Sequence, residues 1–287
     1  MKFFISCAIT GLAGAAWLAY PSNLPDASPA PSNLAGAISV ASLNMARERN
    51  VSKILDGINR APRIRDADVL LLQEVANDPG RQSVAEQLAR DLGYHVFFAP
   101  AGPTVCDQGL AVLSRYPIAD ISVIPLKRYD LRFHSRHRFS IAARIQTPAG
   151  DVKIWDVHLD TRLNAAQRLE QLRPVLNDAA RFRGPRLIGG DFNTNEFAWI
   201  GNVMPAVAGP SHAQIIRGEM QRCGFETPFA DALITFPRFR RHLDWIYASG
   251  LKNIDCTAEP MPFSDHNAIS ARFELLSAMR SALPKHT

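Results

Sequence analysis

The sequence predicts an α/β fold in which two β-sheets pack face to face with helices on the outside. Apolar runs of strand length alternate along the chain with a few patterns of helical spacing. Apolar residues make up 47% of the 287 residues, enough for a large core, and no internal repeat divides the chain. Many strands with few interposed helices are typical of packed sheets covered by helices.

The N-terminal segment predicts export or membrane attachment. Lys2 precedes an uncharged, mostly apolar run over residues 3–20. Such a run is typical of a secretory signal, and it also reaches the lower length limit of a membrane span. We expect residues 1–20 to be a signal peptide or membrane anchor and residues 21–36 a flexible Pro/Ser/Ala-rich linker. The protein is then periplasmic, extracellular or membrane-anchored. We expect residues 37–277 to form one large α/β domain, followed by a tail over residues 278–287.

In the first half of the domain, helices are expected where apolar residues recur at helical spacing. These are residues 51–60 and 81–92, and Gly93 is well placed to end the second. Strands are predicted at residues 38–44, 68–74, 94–98, 110–113, 121–126, 139–146 and 152–158. A turn at residues 148–151 joins the last two strands as a hairpin.

In the second half, residues 163–182 show the longest helical pattern, which Pro174 is expected to kink or break. A strand then runs up to Asp191. Residues 196–211 are predicted to be a loop and residues 214–223 a helix. Strands are predicted at residues 243–247, 253–257 and 268–275.

Polar residues follow the apolar runs at several predicted strand ends. They are Asn44, Glu74, His158, Asp191 with Asn193, and Asp244, and a loop before the last strand adds Asp265 and His266. Each has a structural alternative, such as an Asx turn, a solvated strand end or a core histidine. Their recurrence at strand ends, where α/β proteins place ligands, indicates a site for phosphate or metal chemistry.

The motifs of several other enzyme classes are missing from the sequence. It contains no HExxH, GxSxG, Walker or GxGxxG motif. Their absence disfavours a serine nucleophile, an NTPase and a dinucleotide enzyme. A carboxylate that orients water beside an amide that donates to an oxyanion suits hydrolysis, and Asp191 and Asn193 supply both.

Seven motifs in order carry a resemblance to the endonuclease/exonuclease/phosphatase superfamily, the group related to deoxyribonuclease I, across residues 38–275. They are Ser42-Leu43-Asn44-Met45, Leu71-Leu72-Gln73-Glu74-Val75, the segment 109–117, His158-Leu159-Asp160 with Arg168 and Gln171, Gly189-Gly190-Asp191-Phe192-Asn193, Leu243-Asp244-Trp245-Ile246, and Ser264-Asp265-His266. The resemblance implies a four-layer α/β sandwich around two mixed β-sheets.

The resemblance also implies roles for the site residues. Glu74 resembles the principal Mg²⁺ ligand, and Asn44 and Asp265 resemble residues that help hold the metal or its waters. Mg²⁺ suits oxygen ligands, and Mn²⁺ is expected to substitute.

The implied reaction is in-line attack of water on phosphorus. In it, Asp191 deprotonates the water and Asn193 donates to the phosphoryl oxygen. His266, paired with Asp244, binds the phosphate. His158 resembles a second histidine that serves the phosphate or the leaving oxygen.

Two basic stretches flank the expected site, and they leave the substrate open. Residues 127–138 include Arg136 and Arg138, one of which is expected to face the phosphate, and residues 238–242 form the other stretch. Arginines among aromatic residues suit nucleic acid, the leading substrate, and also an anionic lipid. A phospholipid, sphingolipid or small phosphomonoester is the alternative, and a non-catalytic binding module is a remote one. No protein partner is predicted.

Overall fold

The computed structural model describes residues 36–78, 80–101, 108–131, 137–206 and 211–275. The predicted signal or anchor, most of the linker and the tail lie outside these ranges. None of the helices in the described ranges is long and apolar enough to cross a membrane.

Thirteen strands are present in the described residues. They are β1 (Ala37–Asn44), β2 (Val69–Ala76), β3 (His95–Pro100), β4 (Gln108–Ser114), β5 (Ile118–Pro125), β6 (Phe139–Thr147), β7 (Gly150–His158), β8 (Arg186–Asp191), β9 (Ala198–Ile200), β10 (Met204–Ala206), β11 (Asp244–Ser249), β12 (Leu251–Pro260) and β13 (Asn267–Leu275). Eleven of them form two large mixed sheets.

The first sheet has six strands in the order β12-β13-β1-β2-β4-β3, and only the β1–β2 pair is parallel. The second has five strands in the order β11-β8-β7-β6-β5, and only the β7–β8 pair is parallel. The predicted hairpin is confirmed as β6–β7, which pair antiparallel through the turn at residues 148–149.

The helices are α1 (Val51–Asn59), α2 (Pro62–Arg65), α3 (Val84–Leu92), α4 (Ala165–Ala179) and α5 (His212–Arg222). The ends of α3 follow from its sequence. Ser83 and Glu86 form a reciprocal capping box, and Gly93 ends the helix in the left-handed conformation (φ 70°).

Four layers result, which confirms the predicted sandwich. β1 and β2 of the first sheet pack across β7 and β8 of the second, and buried apolar side chains such as Leu71 and Ile154 fill the space between them. A second core, which includes Ile54 and Leu88, lies between the first sheet and helices α1–α3. Helices α4 and α5 cover the other face of the second sheet through residues such as Leu172.

One expectation for the connecting segments was wrong. Residues 196–206 are not a plain loop, because β9 and β10 form a hairpin that pairs Ile200 with Met204. The helix α4 is not broken at Pro174, because it continues to Ala179. Helix α2 was not predicted; Pro62 at its first position suits a helix start.

Candidate active site

The site lies at one edge shared by both sheets. Parallel strands β1 and β2 end at this edge, and so do parallel strands β7 and β8, which bring His158 opposite Asp191. The expectation that Asp244 ends a strand was wrong, since it begins β11. Because β11 runs antiparallel to β8, its first residue pairs with Asp191 and therefore reaches the same edge.

Glu74 lies in a β-bulge and not at a strand end as predicted. The β2–β4 register shifts between Leu72 and Val75, and Glu74 takes a left-handed conformation (φ 49°) that is rare for a residue with a side chain. The bulge turns the carboxylate toward the site, where Oε1 lies 4.0 Å from His158 Nε2 and Oε2 lies 3.3 Å from Arg47 Nε. About a quarter of the Glu74 side chain (23%) remains exposed.

Asp191 is the buried centre of the group. Its Oδ1 accepts from the backbone N–H of Asn193 (2.8 Å), and its Oδ2 accepts from Asn44 Nδ2 (3.0 Å). His158 Nε2 lies 3.5 Å from the same Oδ2. Burial, and then the neighbouring carboxylate of Asp244, raise the pKa of Asp191, so this side chain is suited to take a proton.

The glycine before Asp191 lets strands β7 and β8 approach closely. Gly190 has φ +137°, and a Cβ placed there would lie 2.0 Å from the carbonyl oxygen of Val157. No side chain fits at this position, which explains why the apolar run ends in glycine before the acid.

Asp244 and His266 form a hydrogen-bonded pair, with Asp244 Oδ2 2.8 Å from His266 Nδ1. Burial alone would lower the pKa of His266, but the adjacent Asp244 carboxylate raises it above its ordinary value and favours the imidazolium. The loop is fixed by Ser264, whose hydroxyl donates to the carbonyl of Asn44 (2.6 Å) and accepts from the His266 N–H (3.0 Å). An anion-binding group is therefore held beside Asp191.

The remaining predicted site residues have different surroundings. The amide of Asn193 donates to the carbonyl of Leu159 (2.9 Å), which leaves its second hydrogen for a ligand. Asp265 is exposed beside His266. Arg138 Nε donates to Asp160 (2.9 Å), and Arg138 lines a small pocket with His158. Arg136 lies outside the described residues.

The buried side chain of Arg168 joins the two loops that follow strands β7 and β8. Arg168 of α4 donates to the carbonyl oxygens of Asp160 (2.6 Å) and Phe192 (2.9 Å). It also donates to those of Thr161 (3.0 Å) and Leu163 (3.2 Å). The motif residue Arg168 therefore fixes the loops after His158 and Asp191 relative to each other.

The second motif residue of α4, Gln171, supports the same loop. Its Oε1 accepts from the backbone N–H of Asp160, and its Nε2 donates to the carboxylate of Asp160, both at 2.8 Å. The loop after His158 is therefore held from one side by two side chains of a single helix.

Comparison with known proteins identifies the family. The sequence matches the Endonuclease/Exonuclease/phosphatase family over residues 33–266. The chain belongs to this family. Members of the endonuclease/exonuclease/phosphatase family are hydrolases that act on phosphoester bonds, and they generally use a divalent metal. No protein among the curated sequences matches significantly.

Several solved structures share the fold at low sequence identity. An endonuclease/exonuclease/phosphatase from Beutenbergia cavernae DSM 12333 is 21% identical, with a TM-score of 0.66 over 84% of this chain and 72% of its own. ANGEL2, a 2',3'-cyclic phosphatase in complex with adenosine-2',3'-vanadate, is 18% identical (TM-score 0.61; 84% and 96%). D. rerio TDP2 complexed with single strand DNA product is 15% identical (TM-score 0.59; 83% and 99%).

Two groups of side chains offer ligand atoms for a divalent metal. One is buried Asp191, Asp244 and His266, whose ligand atoms lie within 4.8 Å of one another. In this group Asp244 Oδ1 is buried without a hydrogen-bond partner among the described residues, but an imidazolium at His266 has no lone pair to give. The other is the predicted set of Glu74, Asn44 and Asp265, all oxygen donors, with Glu74 and Asp265 reached by solvent. The second group, with its oxygen ligands and access to solvent, suits a hydrated divalent metal better.

Two residues beside the site were not predicted. Arg47 pairs with Glu74 from a loop in which Ala46 and Arg47 both have positive φ. The ring of Phe236 packs 4.9 Å from that of His266, centroid to centroid. A signal for Phe236 was available in its position next to the basic stretch 238–242.

Proposed function

We propose that this protein is a Mg²⁺-dependent phosphodiesterase whose leading substrate is nucleic acid, and that it is exported or membrane-anchored. The proposal rests on one observation: three groups of side chains meet at one sheet edge. They are the buried carboxylate of Asp191, the hydrogen-bonded pair of Asp244 and His266, and the oxygen ligands of Glu74, Asn44 and Asp265. Two of the similar structures, ANGEL2 and TDP2, hold a nucleotide analogue and single-stranded DNA. These support nucleic acid as the substrate class.

The proposed reaction is in-line displacement at phosphorus by water. Asp191 orients the water and takes its proton, helped by the Asn44 amide that fixes its Oδ2. His266, charged through its contact with Asp244, donates to a phosphoryl oxygen, and the free amide hydrogen of Asn193 donates to the same developing charge. His158, whose Nε2 lies near the carboxylates of Glu74 and Asp191, assists the departure of the leaving oxygen.

Glu74, with Asn44 and Asp265, is the proposed holder of the metal, and Mn²⁺ is expected to replace Mg²⁺. When bound, the ion neutralises charge on the phosphoryl group. Arg138, next to His158 in the small pocket, is proposed to contact the substrate phosphate together with Arg136.

Nicking of supercoiled plasmid tests the proposal. Residues 36–287 are expected to convert supercoiled DNA to the open circle with Mg²⁺ or Mn²⁺ and to stop when EDTA is added. A folded protein that leaves plasmid, single-stranded DNA and RNA intact under all these conditions would contradict nucleic acid as the substrate.

The Glu74→Gln variant tests the metal assignment. It removes one ligand charge, so the Mg²⁺ concentration for half-maximal activity and the Kd for Mn²⁺ in calorimetry are both expected to rise by at least about tenfold. Asp78→Asn, an exposed acid on the same segment that pairs with Arg49, is the matched control and keeps the wild-type values. Equal titrations for Glu74→Gln and wild type would exclude Glu74 as a ligand.

A lipid phosphoester is the second candidate substrate, and the β9–β10 hairpin favours it. Ile200 and Met204 face each other there and are each 64% exposed, which suits contact with an apolar surface. Hydrolysis of sphingomyelin or phosphatidylcholine in vesicles, without hydrolysis of nucleic acid, would select this candidate. A folded protein that hydrolyses neither of these classes nor a small phosphomonoester would favour a binding module.

A further inference from the structure

Three rings lie in a row from the proposed phosphate-binding histidine, His266, to the solvent-exposed ring of Phe239. The ring of Phe236 lies between His266 and Phe239, with centroid distances of 4.9 Å and 5.7 Å and tilted planes. Phe239 is 63% exposed, which is unusual for a phenylalanine. Phe239 therefore presents an aromatic ring to solvent at the end of a row of rings that begins at the proposed phosphate-binding histidine.

The segment that carries the two rings is held firmly in place. Phe236 and Arg241 exchange backbone hydrogen bonds (2.9 and 3.1 Å), which close a turn around a short 3-10 helix at Pro237–Phe239. Asn267, the residue after His266, donates to the carbonyls of Thr235 (2.7 Å) and Ile234 (2.9 Å). The turn therefore has a fixed position relative to His266.

The turn also contains a residue with a strained backbone, Arg240, and two arginines, Arg238 and Arg240, that surround Phe239 with positive charge. Arg240 has φ 51°, a conformation that costs energy for a non-glycine residue. Arg238 places its guanidinium 5.5 Å from the centre of the Phe239 ring, and Arg240 is exposed. Arg241 instead pairs with Glu196, so it braces the turn against the neighbouring loop. A rigid aromatic surface with positive charge at its rim matches a base attached to a phosphate backbone.

We infer that Phe239, backed by Phe236 and Arg238, is a stacking platform for the nucleobase next to the phosphate under attack, in single-stranded nucleic acid. The inference rests on the proposed function. Single strands are specified because both faces of a base inside a duplex are already covered by its neighbours, whereas an unpaired base has a free face. The platform contributes to substrate binding and does not take part in the chemical step.

Substrates with one base on a known side of the phosphate test the inference. These are the 5′- and 3′-p-nitrophenyl phosphate esters of thymidine, compared with methyl p-nitrophenyl phosphate, which has the same leaving group and no base. In Phe239→Ala, kcat/KM for at least one thymidine ester is expected to fall about tenfold or more through KM, while the methyl ester is hydrolysed at the wild-type rate. Phe239→Trp is expected to restore the thymidine ester.

A matched variant and a vesicle measurement make the outcomes distinct. Ile254→Ala removes another exposed apolar side chain, on edge strand β12, and is expected to leave every substrate unchanged. If wild type hydrolyses both thymidine esters and Phe239→Ala matches it on each, the platform is refuted and the proposed function stands. If wild type hydrolyses only the methyl ester, the platform is refuted, because a base then contributes nothing. If Phe239→Ala loses binding to anionic vesicles and not to thymidine esters, the platform is also refuted, and Phe239 belongs to a surface for another ligand.

Discussion

Replacing Asp191 by asparagine is expected to lower kcat/KM for phosphodiester hydrolysis by about a thousandfold, the usual contribution of a positioned general base. Asparagine has nearly the shape of aspartate, but its amide cannot take a proton from water. The Oδ1 position still accepts from the Asn193 N–H, so the turn after β8 is preserved. The loss is therefore expected to fall on the chemical step and on kcat.

The stability of Asp191→Asn is expected to stay close to wild type, because two changes oppose each other. The new amide meets the Asn44 amide at the position where Oδ2 accepted a hydrogen bond, and this costs about 1–2 kcal/mol. Removing the charge relieves its burial and its repulsion by Asp244, which opposes that cost. The thermal unfolding midpoint is expected to differ from wild type by a few degrees at most.

Asp156→Asn is the matched control for this experiment. Asp156 is also a fully buried carboxylate, on strand β7, and it accepts from Gln73 Nε2 (2.7 Å) inside the sandwich and not at the edge. Burial raises its pKa well above the ordinary value, so an amide replaces a group that is largely neutral. Nicking and small-diester hydrolysis by Asp156→Asn are expected to remain within about threefold of wild type. Equal activity of Asp191→Asn and wild type would remove Asp191 from the mechanism.

The edge at which the site lies could be predicted from the chain, because it depends on strand ends alone. Asn44, His158 and Asp191 each end an apolar run, and parallel neighbours end at the same edge. Asp244 was placed at the right edge for the wrong reason, since a residue that begins an antiparallel strand reaches the same edge. The direction of β11 follows from its pairing with β8, which the local pattern does not show.

The bulge at Glu74 could not be predicted. The run from Val69 to Val75 has the composition of an ordinary buried strand, and the register shift arises only when β2 pairs with β4, more than thirty residues later. Nothing in the local sequence marks Glu74 for a positive φ. The hairpin β9–β10 did have a signal, since Gly201-Asn202 between two short apolar runs is a turn pair, and both residues have φ 57°.

The burial of Arg168 is the largest departure from what the sequence indicates. An arginine usually lies on the solvated face of a helix, whereas Arg168 lies on the face of α4 that also carries Leu172 and Val175. The guanidinium is instead fully buried, because the loops after β7 and β8 turn their carbonyl oxygens inward and require a donor. That requirement exists only in the assembled fold.

Replacing Arg168 by methionine is therefore expected to cause the largest loss of stability of any variant considered. The variant leaves the carbonyls of Asp160, Thr161, Leu163 and Phe192 without their buried donor. Breaking a buried charged network of this kind costs about 3–5 kcal/mol. In a domain of this size, that corresponds to a fall in Tm of roughly 6–20 °C.

Arg173→Met is the control for Arg168→Met. Arg173 lies on the exposed face of the same helix, so its replacement is expected to change the unfolding free energy by less than about 0.5 kcal/mol. Arg168→Lys separates charge from geometry, because lysine keeps the cation but has three donors at one point instead of a planar fork. If the guanidinium joins the two loops, Arg168→Lys recovers little of the lost Tm, and its kcat falls as well because Asp191 and His158 lose their fixed spacing. A lysine variant as stable and active as wild type would show that charge alone holds the loops, and a methionine variant as stable as Arg173→Met would show that the buried arginine does not support them.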